Sequence, residues 1–279
     1  MFADAVTWDL TVSLINATVQ LDQPQGDGTR TVGTGFLIDA PRADGTPRVV
    51  LVTAAHVFDR MPLENARIGW RVPLSDGSWR FTPASLKIRD GEEALWMRHP
   101  DRDVAVMTIE APEAFARAAI PQGWLADGYT FERFDVAPGD EMMSLGFPRG
   151  LSANRAGFPI LRVGRIASYP LSPVVAFPTF LVDFTVFPGN SGGPVFLTGS
   201  TRRRPGVPAP EHPFIAGVLT QQVELNSERL GIGVVAHAHY IREAIELLNQ
   251  AEAAERDETE RSRIRIEAGS EPETPGRRP

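Results

Sequence analysis

Between residue 8 and about residue 238 the sequence alternates short runs rich in Val, Ile, Leu and Phe with clusters of turn residues. The runs fall at 34–39, 48–53, 64–73, 103–110, 140–147, 160–169, 180–186, 193–198, 214–223 and 231–238. Punctuators such as Gly26-Asp27-Gly28, Asp44-Gly45-Thr46-Pro47 and Ser75-Asp76-Gly77 separate them. Many short strands divided by turns predict an all-β barrel or sandwich. Residues 113–134 have no strand period and fall where a link between two β lobes would lie, about 8–112 and 135–240; 113–119 suit a short helix. After Ala238 the period lengthens: Ile241, Ala244, Ile245 and Leu248 recur at helical spacing. That face predicts a helix over 241–265 docked on the second lobe, with 266–279 a disordered tail.

Composition narrows the class. With 28 basic and 35 acidic side chains the net charge is −7. An acidic balance argues against general nucleic-acid or anionic-membrane binding, because both need a basic surface. The run Arg202-Arg203-Arg204 reads as a solvated hairpin tip, not a nucleic-acid patch. Zero cysteines exclude disulfides, a thiol nucleophile and any Cys-ligated metal. Met1 to Asp9 lacks a basic stretch ahead of an apolar one, and no uncharged run is long enough to span a bilayer. The expectation is a cytoplasmic protein.

Three segments carry candidate chemistry. Leu51-Val52-Thr53-Ala54-Ala55-His56 is a strand-like run ending in small residues and a histidine. His99-Pro100-Asp101-Arg102-Asp103-Val104-Ala105-Val106 puts an aspartate where a new strand begins. Phe187-Pro188-Gly189-Asn190-Ser191-Gly192-Gly193-Pro194 sets a serine among glycines. A serine hydroxyl is a poor nucleophile until a base takes its proton. Imidazole is suited to that task near neutrality, and a carboxylate can hold it in one tautomer. Asp103 opens the apolar strand and fits that role; Asp101, in the preceding turn, is the rival. His99 reads as a loop histidine. His237 and His239 would share a strand face, yet no third metal ligand accompanies them.

These motifs resemble the chymotrypsin/trypsin-like serine peptidases, and most of all their cysteine-free bacterial branch with the HtrA-type proteases. The likeness rests on Thr53-Ala54-Ala55-His56, Asp103-Val104-Ala105-Val106 and Gly189-Asn190-Ser191-Gly192-Gly193-Pro194, in that chain order. Gly33-Thr34-Gly35-Phe36 and Gly231-Ile232-Gly233-Val234 support it. The resemblance implies two antiparallel six-stranded β-barrels within residues 8–240, a C-terminal helix, and a cleft between the lobes. It implies catalysis by His56, Asp103 and Ser191, with the backbone N–H groups of Gly189 and Ser191 as the oxyanion hole. No metal or organic cofactor is called for. The substrate would be a protein or peptide, and a regulatory protein partner could restrain the activity. By the family's spacing Thr185 would form the base of the side-chain pocket, with Thr220, Gln221 and Gln222 as one wall and Gly233 as another. With no acidic residue at that base, small or medium uncharged side chains are expected, not Arg or Lys.

The chain departs from animal trypsins in two ways. It lacks an Ile-Val-Gly-Gly segment, and the residue before the serine is the uncharged Asn190. A helix followed by about thirty residues leaves no expectation of a PDZ domain after it. Two rival functions remain open at this level: a catalytically silent or partner-gated binding scaffold, and a hydrolase of esters or other non-protein acyl groups.

Overall fold

The structure, a computed structural model, describes residues 10–197, 213–226 and 228–269. The expected arginine-rich tip at 202–204 and most of the expected tail lie outside the described residues, as does the stretch before Leu10.

The N-terminal half begins with helix α1 (Leu10–Ala17), then strands β1 (Thr18–Pro24), β2 (Arg30–Asp39) and β3 (Val49–Thr53). Helix α2 (Ala55–Asp59) precedes β4 (Asn65–Pro73), β5 (Trp79–Lys87), the small pair β6 (Arg89–Asp90) and β7 (Glu93–Ala94), then β8 (Met97–Arg98) and β9 (Ala105–Ile109). The link holds α3 (Glu113–Ala118), β10 (Ile120–Pro121) and α4 (Thr130–Arg133). The second half contains β11 (Glu141–Gly146), β12 (Ile160–Ile166), β13 (Thr179–Asp183), β14 (Pro194–Leu197), β15 (Phe214–Leu225) and β16 (Glu228–His237), and ends in α5 (Ala238–Gly269). The protein is predominantly β with helices at its joints. Among the described residues, no helix is long and apolar enough to cross a membrane.

The second half closes into a six-stranded barrel in the order β11-β12-β13-β16-β15-β14. The first half does not match the expected second barrel. Its strands form an open sheet, β5-β4-β1-β2-β3-β9-β8, with β10 alongside β2. Closure would require β8 to pair with β5, but β8 has two residues and the turn before it is spent on the β6–β7 pair. β5 is left as an exposed edge, and it carries Pro83, which an edge tolerates because it donates no hydrogen bond.

Two of the longer strands were illegible in the sequence. β1 is buried along nearly its whole length although it contains Gln20, Asp22 and Gln23. Each polar side chain has a partner: Gln20 donates to Gly150 O, Asp22 accepts from Arg67, and Gln23 donates to Leu63 O and Asn65 O. Burial is tolerated because those bonds replace water. β5 lacks an apolar face because most of it is exposed. The C-terminal helix begins at Ala238, earlier than the periodicity suggested, and buries Ile241, Ala244, Ile245 and Leu248 as that periodicity requires.

Candidate active site

β3 is buried on both faces and delivers the chain to Ala54 and Ala55, both fully buried. Small side chains let the backbone turn into α2 against the core, and the next residue, His56, is partly exposed. Asp103 sits in the short loop before β9, whose turn is closed by His99 N–H donating to Val104 O at 3.0 Å. The two side chains are joined twice. His56 Nδ1 lies 2.6 Å from Asp103 Oδ2, and the His56 backbone N–H donates to Asp103 Oδ1 at 2.9 Å. Partial burial would raise the Asp103 carboxyl, but the bonds and charge of His56, with Arg98 behind, outweigh it and hold Asp103 below its ordinary value.

Ser191 comes from the other half, in the loop before β14. It shares a cavity of about 350 Å³ with His56, Asp103, Arg60, Val186, Phe187, Pro188, Thr220, Gln221 and Gln222. The loop is fixed peptide by peptide. Pro188 O accepts from Arg149 N at 2.6 Å, and Asn190 O accepts from Gly193 N at 3.1 Å. In a planar trans peptide the N–H points away from the carbonyl. The N–H groups of Gly189 and Ser191 are therefore turned away from those bonds, and neither donates within the described residues. Asn190 Oδ1 accepts from Phe187 N at 3.1 Å, so the loop is ordered by a neutral amide where trypsins have an acid. Gly189 and Gly192 adopt φ of +94° and +89°, a region that disfavours side chains. A Cβ at Gly192 would also run into Thr34 O.

The pocket residues divide. Thr220, Gln221 and Gln222 line the cavity; Thr185 and Gly233 do not. Thr185 is exposed and nearer Gly231. A Cβ at Gly233 would meet Leu219 and Val186 at 2.9 Å and Val182 at 3.3 Å, so apolar side chains already fill that end. Asp101 is exposed and does not line the cavity. His99 is not a free loop side chain: it is buried and paired to Glu243 of α5 at 2.9 Å. His237 and His239 do not share a strand face, since β16 ends at His237 and His239 lies in α5. His239 pairs with Glu243, whereas His237 packs against Phe131 and Phe180. No cluster suited to a metal ion occurs among the described residues.

Two residues at the site escaped the sequence reading. Thr34 is fully buried in β2 and reaches across the halves. Its Oγ1 donates to Gly189 O at 2.6 Å and accepts from Phe147 N at 3.2 Å, while its backbone N–H donates to Ser191 O at 2.9 Å. Only its place in Gly33-Thr34-Gly35 hinted at this. Arg60, just past the end of α2, enters the cavity wall because one helical turn separates it from His56.

A β-barrel and sheet meeting at a His–Asp pair and a serine loop define a trypsin-like hydrolase. Residues 33–201, more than half of the chain, match the family model of the trypsin-like peptidase domain, and the protein belongs to that family. No curated protein matches it in sequence. Among solved structures it is similar to an HtrA-type protease, AlgW, determined with a tripeptide, at 15% identity and a TM-score of 0.50. That match covers 85% of this chain but 61% of the other, so the chain spans about three fifths of that protein's length. The protease Anisep from Arthrobacter nicotinovorans aligns at 16% identity and a TM-score of 0.48, over 83% of this chain and 94% of that one.

Proposed function

We propose that the protein is a serine endopeptidase that cleaves peptide bonds through an acyl-enzyme on Ser191. The observation that carries this reading is the double attachment of His56 to Asp103 inside the cavity that Ser191 shares. With Nδ1–H given to Asp103, Nε2 keeps its lone pair and takes the Ser191 proton as Oγ attacks the substrate carbonyl. Asp103 stabilises the imidazolium. The carbonyl oxygen becomes an oxyanion and meets the N–H groups of Gly189 and Ser191, donors worth roughly 3–4 kcal/mol each in such sites. His56 then returns the proton to the leaving amine, and water releases the acyl group by the same steps reversed. The cavity wall at Val186, Thr220, Gln221 and Gln222 is uncharged and favours a small or medium uncharged side chain before the cleaved bond.

A fluorophosphonate probe should form a single adduct, on Ser191, and none on Ser191→Ala. Asp103→Asn should slow cleavage by about 10⁴-fold. Its loss and that of His56→Ala should not multiply when combined, because the groups act as one unit. Well-folded protein that refuses the probe would instead be a binding scaffold. Labelling and ester turnover without cleavage of any protein would mark a non-protein acyl hydrolase.

A further inference from the structure

We propose that the cleft selects peptide segments with acidic side chains flanking the cleaved bond, read by Arg60 from the N-terminal half and by Arg149 and Arg162 from the barrel. This names the substrate class of the site above and rests on the peptidase reading. Arg60 is exposed and lines the cavity that holds His56 and Ser191. The nearby carboxylates are already engaged: Asp59 pairs with Arg98, and Asp103 with His56. No carboxylate among the described residues pairs with Arg60.

On the barrel side, two guanidinium groups lie over the Phe187 ring, Arg149 at 5.5 Å and Arg162 at 5.1 Å from its centre. Neither has an acidic partner among the described residues. Arg162 Nε is buried without a hydrogen-bond partner. Stacking uses the flat face of a guanidinium and leaves its edge N–H groups free, and that fork matches a carboxylate. Phe187 itself lines the cavity and leads directly into the Ser191 loop, so both cations lie one ring away from the cavity wall. The molecule as a whole carries a net charge of −7 and repels acidic chains. Arg60 in the cavity wall, with Arg149 and Arg162 behind Phe187, sets positive charge against that balance where a substrate must lie, and disfavours Arg- or Lys-rich peptides.

The test uses the full chain as Ser191→Ala, so binding is read without cleavage. Two labelled peptides share a small uncharged residue at the centre and differ only in flanking Asp and Glu against Asn and Gln. Fluorescence anisotropy should show about tenfold tighter binding of the acidic peptide, weakening as salt rises. The preference should shrink in Arg60→Gln and again in Arg162→Gln, with unchanged melting temperatures. Equal affinities, failure of the acidic peptide to bind, or a preference that survives removal of all three arginines would overturn the proposal. Wild-type turnover of both peptides keeps the two readings apart. Acidic preference without cleavage of either would remove the peptidase reading alone; cleavage without preference would remove this one alone.

Discussion

Thr34 ties the two halves together through a single residue: one buried hydroxyl holds the carbonyl of Gly189 and the N–H of Phe147. Thr34→Val keeps the shape and removes both bonds, leaving two buried backbone groups unpaired. It should cost roughly 1–3 kcal/mol of stability by urea denaturation and slow probe labelling of Ser191. Thr34→Ser, which retains the oxygen, should restore the labelling rate. If both variants labelled like wild type, Thr34 would be a packing residue only. His237 gives a second case. Burial between aromatic rings pushes it down to about 4 from 6.5, opposed only in part by a hydrogen bond to the Phe177 backbone. Between those two values the unfolded chain binds the extra proton, so folding stability falls as the pH drops from about 6.5 to about 4. The full effect is roughly 3 kcal/mol. His237→Phe should flatten the stability profile over that window relative to wild type, as measured by denaturant titration at each pH.

At the scale of elements, α5 emerges from the barrel yet is anchored on the other half. Glu252 accepts from Arg42 at 2.8 Å, from the buried Arg48 at 3.3 Å, and from Thr108. Asn249 accepts from Arg48 at 2.6 Å, and Glu243 holds His99 in the segment leading to Asp103. Burial raises the Glu252 carboxyl, but the Thr108, Arg42 and Arg48 partners prevail and hold it below its usual range. A depressed carboxylate contributes stability above its unfolded value, and the contribution disappears as the pH falls through the folded one. Glu252→Ala leaves Arg48 buried without its charge partner and should cost roughly 2–3 kcal/mol at neutral pH. The difference between variant and wild type should narrow in acid. A penalty that stayed constant with pH would mean lost packing, not the ion pair.

For the whole molecule, the joint between halves is polar as well as apolar. Arg71 in β4 is almost wholly buried, donates to Gly157 O at 3.2 Å across the joint, and caps α1 through Ile15 O and Asn16 O. Burial lowers its guanidinium to about 10, so it stays charged. Its face lies 5.0 Å from the rings of both Phe115 and Phe158. Arg71→Leu should lower the thermal midpoint by several degrees, since roughly 2–4 kcal/mol is lost when one buried and two partly buried carbonyls lose their donor. An unchanged midpoint would mean that water replaces the guanidinium.

His56, Asp103 and Ser191 stood out in the sequence because chemistry constrains such residues locally: a base after a buried strand, an acid at a strand start, a serine among glycines. The apolar periodicity likewise revealed most strands and the docking face of α5. The sequence could not reveal β1, whose buried Gln20, Asp22 and Gln23 look like surface until their partners arrive from distant segments. Nor could it show that the first sheet stays open, because closure depends on whether β5 and β8 meet and not on either strand alone. Thr34 gains its role, Arg60 its place in the cleft and Gly233 its filled surroundings only when chain segments far apart in sequence pack together. Sequence by itself determined the chemistry carried by each motif; tertiary structure decided the distances between motifs, because those depend on packing summed over the whole fold.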